Sequence, residues 1–93
     1  MSEITVATSP VGDDWLARVT VTDRAGSREF EVGVTRIELA RFAPGATDPT
    51  DLVRRSFVFL LAREPKESIL RSFDLSLIVR YFPEYEREIC GAG

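Results

Sequence analysis

The stretch WLARVTVTDRAGSREFEVGV, residues 15–34, decides the fold of this chain. Apolar and polar residues alternate along both of its halves, which is the pattern of β-strands that are buried on one face only. The turn-forming run DRAG at 23–26 separates the two halves. The stretch therefore predicts an antiparallel hairpin.

The turn also fixes a register for this hairpin. A four-residue turn at 23–26 sets Val19 opposite Phe30, Ala17 opposite Val32 and Trp15 opposite Val34, and these apolar residues then fall on one face. The same register sets Arg18 opposite Glu31 on the other face, where an opposite-charge pair tolerates water. We therefore expect the sheet to be covered on one side only.

Helix start signals follow the hairpin along the chain. Thr35 opens a Thr-Arg-Ile-Glu capping box, Asp48 precedes Pro49 as an N-cap precedes a first helical residue, and Asp74 is placed to cap a later helix. Alternation in residues 4–8 adds one strand before the hairpin.

These signals together predict a single α+β domain over residues 1–93. It is a three-stranded antiparallel meander in the N-terminal half, covered on one face by a C-terminal set of short helices. The predicted strands lie at about 3–8, 15–22 and 27–34, and the predicted helices at about 36–42, 49–63, 66–73, 75–82 and 84–89.

Composition limits the partners and the compartment. The 12 basic and 15 acidic side chains give a net charge of -3 and are spread evenly over both halves, which argues against a partner bound through phosphate groups. The single cysteine, Cys90, excludes an intrachain disulfide and favours a reducing compartment. The N-terminus lacks the regions of a signal peptide, and the longest apolar run, 57–62, is too short to span a bilayer. We expect a cytoplasmic protein with no membrane partner.

The side chains that carry most enzymatic chemistry are missing or have ordinary explanations. The chain contains no histidine, and its glycines form no phosphate-binding loop. The acidic pairs Asp13–Asp14 and Glu29–Glu31 are typical of a turn and of a water-facing strand, and Cys90 reads as an incidental thiol. The sequence therefore predicts a protein that is not an enzyme, with no catalytic residue, no cofactor and no bound metal; a carboxylate-dependent enzyme is the remaining enzymatic alternative.

The helical half holds more aromatic and apolar side chains than a sheet covered on one side is expected to bury. Such a surplus favours an exposed recognition patch. We therefore predict a small protein-binding or regulatory module, acting as a homodimer or as the small partner of another protein. The predicted interface residues are Val58, Phe59, Tyr81 and Tyr85.

Residues 68–82, SILRSFDLSLIVRYF, leave a second function open. They have the order of a helix-turn-helix, although Asp74 stands in the turn where glycine is usual and Pro83 ends the second helix early. The alternative function is a small nucleic-acid-binding regulator of the antitoxin kind. Its candidate contacts are Arg54, Arg55, Arg71 and Arg80.

The C-terminal half also carries a resemblance. The runs REPKESIL at 63–70, FDLS at 73–76 and YFPEYE at 81–86, with ELARFAPG at 38–45, resemble a group of small bacterial proteins of unknown function. The resemblance covers about half the chain. It implies a bacterial source and a compact domain, and it brings no activity and no site residue with it.

Overall fold

The computed structural model describes residues 2–91, which form one mixed sheet with helices packed on one face. The strands are β1 (Glu3–Val11), β2 (Asp14–Asp23), β3 (Gly26–Val34) and β4 (Ser72–Asp74). They lie side by side in the order β1-β2-β3-β4. The first three are antiparallel neighbours, and β4 runs parallel to β3.

The helices follow the meander. They are α1 (Arg36–Phe42), α2 (Thr50–Leu61), α3 (Ser76–Tyr81) and α4 (Tyr85–Gly91), and a short 3-10 turn lies at Lys66–Ser68. A common core joins the inner face of the sheet to the central helix α2. Its fully buried members from these two elements include Val19, Val21, Phe30, Val32, Leu52, Val53 and Phe57.

The predicted hairpin register is confirmed. Val19 lies opposite Phe30 and Arg18 lies opposite Glu31, with 3.7 Å between the Arg18 and Glu31 charged groups. The β1–β2 loop has two residues, and the first of them, Gly12, has φ of 62°. A positive φ at that position is the requirement of a type II′ turn, whose twist matches the strands it joins.

The predicted capping box of the first helix is confirmed, whereas the second helix begins one residue later than predicted, with Pro49 and not Asp48 as its N-cap. The Thr35 hydroxyl accepts from the Glu38 amide at 3.0 Å, and the Glu38 carboxylate accepts from the Thr35 amide at 2.9 Å. The Asp48 carboxylate accepts from the Thr50 amide at 2.9 Å, where α2 begins. The pKa of Asp48 is lowered chiefly by a hydrogen bond from the Thr50 side chain and further by this bond from the Thr50 amide.

The prediction of a helix at 66–73 is wrong, and so is the count of three strands. Only a 3-10 turn forms there, and the chain then becomes the fourth strand, β4. The Glu31 amide donates to the Arg71 carbonyl at 2.7 Å, and the Leu75 amide donates to the Gly33 carbonyl at 2.9 Å. The unpaired edge of β3 thus supplies hydrogen bonds that override the local helical pattern.

Asp74 does not cap α3, contrary to the prediction. It is the last residue of β4, and α3 begins at Ser76 without a side-chain cap. Its carboxylate lies across the outer face of the sheet over Gly33, where a Cβ would stand 2.6 Å from Asp74 Oδ1. Glycine at position 33 therefore makes room for the β3–β4 pairing.

Candidate functional site

An apolar groove lies beside β4, between the C-terminal end of α2 and α3. Its volume is about 430 Å³. Two large apolar side chains stand exposed at it, Leu70 with 54% and Tyr81 with 67% of their surface open. We call it the Leu70–Tyr81 groove, and its lining residues are Leu60, Glu64, Ser68, Ile69, Leu70, Phe73, Leu77, Ile78, Tyr81 and Phe82.

The groove exists because residues 69–71 do not continue as a helix. Ile69 has extended backbone angles, φ −83° and ψ 134°, directly after the 3-10 turn. In extended chain successive side chains point to opposite sides. Ile69 is accordingly buried in the core while Leu70 beside it is exposed. The core residues Ile69 and Ile78 form the floor, so the groove is rigid where a ligand would touch it.

The groove carries one acidic side chain. Glu64 lines it just beyond the end of α2 and forms no ion pair within residues 2–91. The neighbouring Arg63 is fully engaged elsewhere: its guanidinium stacks 3.6 Å from the centre of the Phe59 ring and bridges to Glu84 and Glu88 of the C-terminal segment. Among the described residues that line the groove, Glu64 is therefore the one charged side chain, beside the hydroxyl-bearing Ser68 and Tyr81.

Two of the four predicted interface residues are buried, so their assignment to an exposed patch is wrong. Phe59 retains 6% of its surface and Tyr85 none. Tyr85 packs edge-on against Phe42 and Phe59, with ring centres 5.3 Å apart in both pairs. Edge-to-face packing holds several rings in a small volume. The interior thus accommodates more aromatic side chains than the sequence led us to expect.

The Tyr85 hydroxyl has its hydrogen bond inside the core. Ser56 Oγ lies 2.6 Å from it and donates in turn to the Leu52 carbonyl at 2.7 Å, so the tyrosine donates to the serine. Burial raises the pKa of Tyr85 to about 12, against a smaller opposing effect of the Ser56 hydrogen bond. This pair is a structural element of the core.

The other two predicted interface residues, Val58 and Tyr81, are exposed. Tyr81 lines the groove, whereas Val58, with 58% of its surface open, does not. The structure therefore does not bring the four residues together as one patch. The exposed Leu70 and the half-buried Leu77, which sequence reasoning missed, line the groove beside Tyr81 in place of Phe59 and Tyr85. The polar residues on both sides of Phe73 were the only sequence signal for an extended segment there.

The four arginines proposed for nucleic-acid contact are not equally available. Arg55 donates to Asp51 Oδ2 at 2.9 Å and to the Ile89 carbonyl at 3.1 Å, so it joins α2 to α4. Arg54, Arg71 and Arg80 are exposed and form no ion pair within the part of the chain that the structure describes.

The only lysine, Lys66, is the most buried charged side chain of this region. Its side chain retains 4% exposure, and its ammonium donates to Asp23 at 2.8 Å and to Glu67 at 2.7 Å. The hydrogen bond to Asp23 is the main cause that raises the pKa of Lys66, and the same bond lowers the pKa of Asp23. The contact fastens the β2–β3 turn to the 3-10 turn.

The acidic pairs have structural partners. Asp14 Oδ1 accepts from the Arg36 amide at 3.0 Å at the start of α1, and Glu31 faces Arg18 across the sheet. Between Ser2 and Gly91 no group of three or more acidic or cysteine side chains is arranged to hold a metal ion. None of the helices in that range has the length and apolarity to cross a membrane.

Comparison with known protein families, curated proteins and solved structures finds no match to this chain. The resemblance of residues 63–86 to small bacterial proteins stays a prediction.

Proposed function

We propose that this chain is a non-enzymatic protein-binding module that holds an apolar segment of a partner protein in the Leu70–Tyr81 groove. The observation that carries the proposal is that Leu70 and Tyr81 stand exposed at one depression whose floor is made of buried core residues. An exposed tyrosine beside a preformed apolar cavity is typical of recognition surfaces, where aromatic residues provide much of the binding energy, and Leu70 adds apolar contact area next to it. The proposal places the module in the bacterial cytoplasm, without a cofactor.

The occupant we propose is an amphipathic helix. A groove between two helices suits the apolar face of a third, which is read through side chains at positions i, i+3 or i+4, and i+7. The volume of about 430 Å³ has room for a few large side chains and no more. Glu64 gives the groove a negative charge, so the occupant should carry lysine or arginine beside its apolar positions.

The test is selection of binders from a displayed library of random peptides about four helical turns long. Peptides enriched on the native protein should share apolar residues at helical spacing with one basic residue. Leu70→Ser should weaken them at least about tenfold, since hot-spot residues contribute about 2 kcal/mol or more. Val58→Ser is the matched control, because Val58 is as exposed as Leu70 but lies outside the groove.

Two outcomes would overturn this proposal. One is a selection that enriches no peptide with an apolar helical pattern. The other is a set of peptides whose affinity falls equally with Leu70→Ser and Val58→Ser. Enriched peptides that lose their affinity when Glu64 is replaced by lysine would support the charge assignment in particular.

Nucleic-acid binding through Arg54, Arg71 and Arg80 is the alternative outcome. It predicts retention of duplex DNA or RNA that weakens steeply with salt, because each phosphate contact releases counterions. Binding no stronger at low salt than at high salt would exclude it. The engagement of Arg55 with Asp51 and the Ile89 carbonyl makes this alternative the weaker one.

A further inference from the structure

The strand β1 forms an edge of the sheet that lacks the usual protection. It is nine residues long and pairs only with β2. Within residues 2–91 no backbone hydrogen bond outside the β1–β2 ladder involves it. Glu3 at its start is its only charged residue, and Pro10 lies near its end. The opposite edge, β4, has only three residues, and shortness is a common way to protect an edge.

The hairpin geometry identifies the free backbone groups. Val11 and Asp14 flank a two-residue turn, and residues in that position exchange backbone hydrogen bonds. Along an antiparallel pair such residues alternate with residues whose N–H and C=O point the other way. The amides and carbonyls of Ile4, Val6 and Thr8 therefore point away from β2, to the open side of the sheet.

From this geometry we infer that β1 pairs antiparallel with β1 of a second copy of this chain, and that the two sheets join into one continuous eight-stranded sheet. The inference concerns a surface distinct from the Leu70–Tyr81 groove and does not depend on the proposed function.

One register of the two β1 strands pairs their outward backbone groups best. With Val6 opposite Val6 of the second copy, Ile4 lies opposite Thr8, and all the outward amides of Ile4, Val6 and Thr8 are paired. A shift that pairs Ile4 with Pro10 would put a residue without an N–H, and its ring, inside the new ladder. A shift the other way would pair Thr8 with Ser2, which precedes the strand.

The chosen register also matches the faces and the charges. Ile4 and Val6, which are only partly buried and pack against the core of their own chain, would extend the apolar inner face across the junction. On the outer face Glu3 would lie opposite Ser9, and Thr5 opposite Ala7. No like charges meet, so the strand is complementary to itself, as a two-fold interface requires.

The first experiment uses the native protein. Sedimentation equilibrium should give a species of twice the 10.4 kDa chain mass that dissociates on dilution. Amide hydrogen exchange should then show that the Val6 and Thr8 amides lose protection on dilution. The Thr5 and Ala7 amides, which point toward β2, should keep theirs because they belong to the monomer.

Two variants that differ at one charge provide the second experiment. In the proposed register Thr5 faces Ala7 of the other copy, so Thr5→Glu/Ala7→Glu sets two pairs of like charges across the junction. Thr5→Arg/Ala7→Glu sets two pairs of opposite charges at the same positions. Both side chains are exposed, and a glutamate at position 7 faces Arg18 within the monomer, so both variants should fold. We expect the dimer dissociation constant of the first to exceed that of the second at least about tenfold.

A native protein that sediments as a 10.4 kDa monomer would overturn the inference. A dimer with equal dissociation constants for the two variants would also overturn it, because the interface would then lie elsewhere. Capture of an extended peptide by β1 of a monomeric protein would likewise replace the second copy as its occupant.

Discussion

The buried pair Ser56–Tyr85 permits a quantitative test of the core. The change is Ser56→Ala, which removes the only hydrogen-bond partner that residues 2–91 offer to the Tyr85 hydroxyl, and Tyr85 retains no exposure to water. A buried polar group left without a partner costs about 1 to 3 kcal/mol. Alanine recovers about 0.5 kcal/mol because it favours the helix more than serine does. We therefore expect Ser56→Ala to lower the free energy of unfolding by about 0.5 to 2.5 kcal/mol.

Replacing the tyrosine of the pair instead of the serine should lower the free energy of unfolding by less. In Tyr85→Phe the serine still donates to the Leu52 carbonyl, so only one net hydrogen bond is lost, about 1 kcal/mol. In the double variant neither a donor nor an acceptor of the pair remains unpaired. Its loss should be at least about 1 kcal/mol smaller than the sum of the two single losses, because residues in contact are coupled.

Urea unfolding of the four proteins measures this cycle, with an unchanged dependence on urea as the sign that two-state unfolding is retained. Tyr81→Phe is the control, since Tyr81 is exposed and its change should stay within about 0.5 kcal/mol. Strict additivity of the two losses would refute the reasoning, and so would a Ser56→Ala variant as stable as the native protein.

Three further predictions follow from single contacts. The pKa of Tyr85 is raised to about 12 in the folded state, so the stability that the neutral tyrosine contributes should be complete below pH about 10 and fall by roughly 3 kcal/mol as the pH rises toward 12. The free energy of unfolding of Tyr85→Phe should fall less steeply over this alkaline range. Equal falls in the two proteins would contradict the burial effect. Lys66→Met should raise the pKa of Asp23, which Lys66 lowers in the native protein. The variant should therefore lose less of its free energy of unfolding than the native protein does as the pH falls through the acidic range. An unchanged Asp23 titration by NMR would contradict the ion pair. Gly33→Ala should change the free energy of unfolding by no more than about 1 kcal/mol, because the strand preference of alanine over glycine opposes the displacement of the exposed Asp74 carboxylate. Gly33→Ala/Asp74→Ala should be more stable than Gly33→Ala alone, and equal stabilities would show that the close approach is unimportant.

The meander could be predicted from sequence because its register couples many residues at once. A shift of one position would have moved Val19, Phe30 and their neighbours to the water-facing side. The capping box at Thr35 could be predicted equally well, since its hydrogen bonds join residues three positions apart, whereas the N-cap of α2 was predicted one residue early. Where the deciding interaction is local or strictly periodic, the residue types are sufficient.

The segment that forms the groove could not be predicted because a distant strand decides it. Ile69, Leu70 and Phe73 have a spacing that also fits one face of a helix, so the helix predicted at 66–73 would turn all three into the core. The amide of Glu31 selects the extended alternative by pairing with the Arg71 carbonyl, forty residues away in the chain. That choice moves Leu70 from the expected core to the surface, and the burial of Tyr85 depends in the same way on a hydroxyl partner, Ser56, that no local pattern identifies.

The two proposed surfaces lie at opposite edges of one sheet, and this has a consequence for binding. The short strand β4 closes one edge beside the Leu70–Tyr81 groove, while β1 lies at the other edge, two strands beyond β3. A dimer joined through β1 would therefore leave both grooves open and hold them in one rigid body. Such a pair binds a partner with two apolar segments far more tightly than either groove alone, provided that the partner spans the distance between them. A Thr5→Glu/Ala7→Glu variant should then bind a single peptide normally and lose only the added affinity for a tandem peptide.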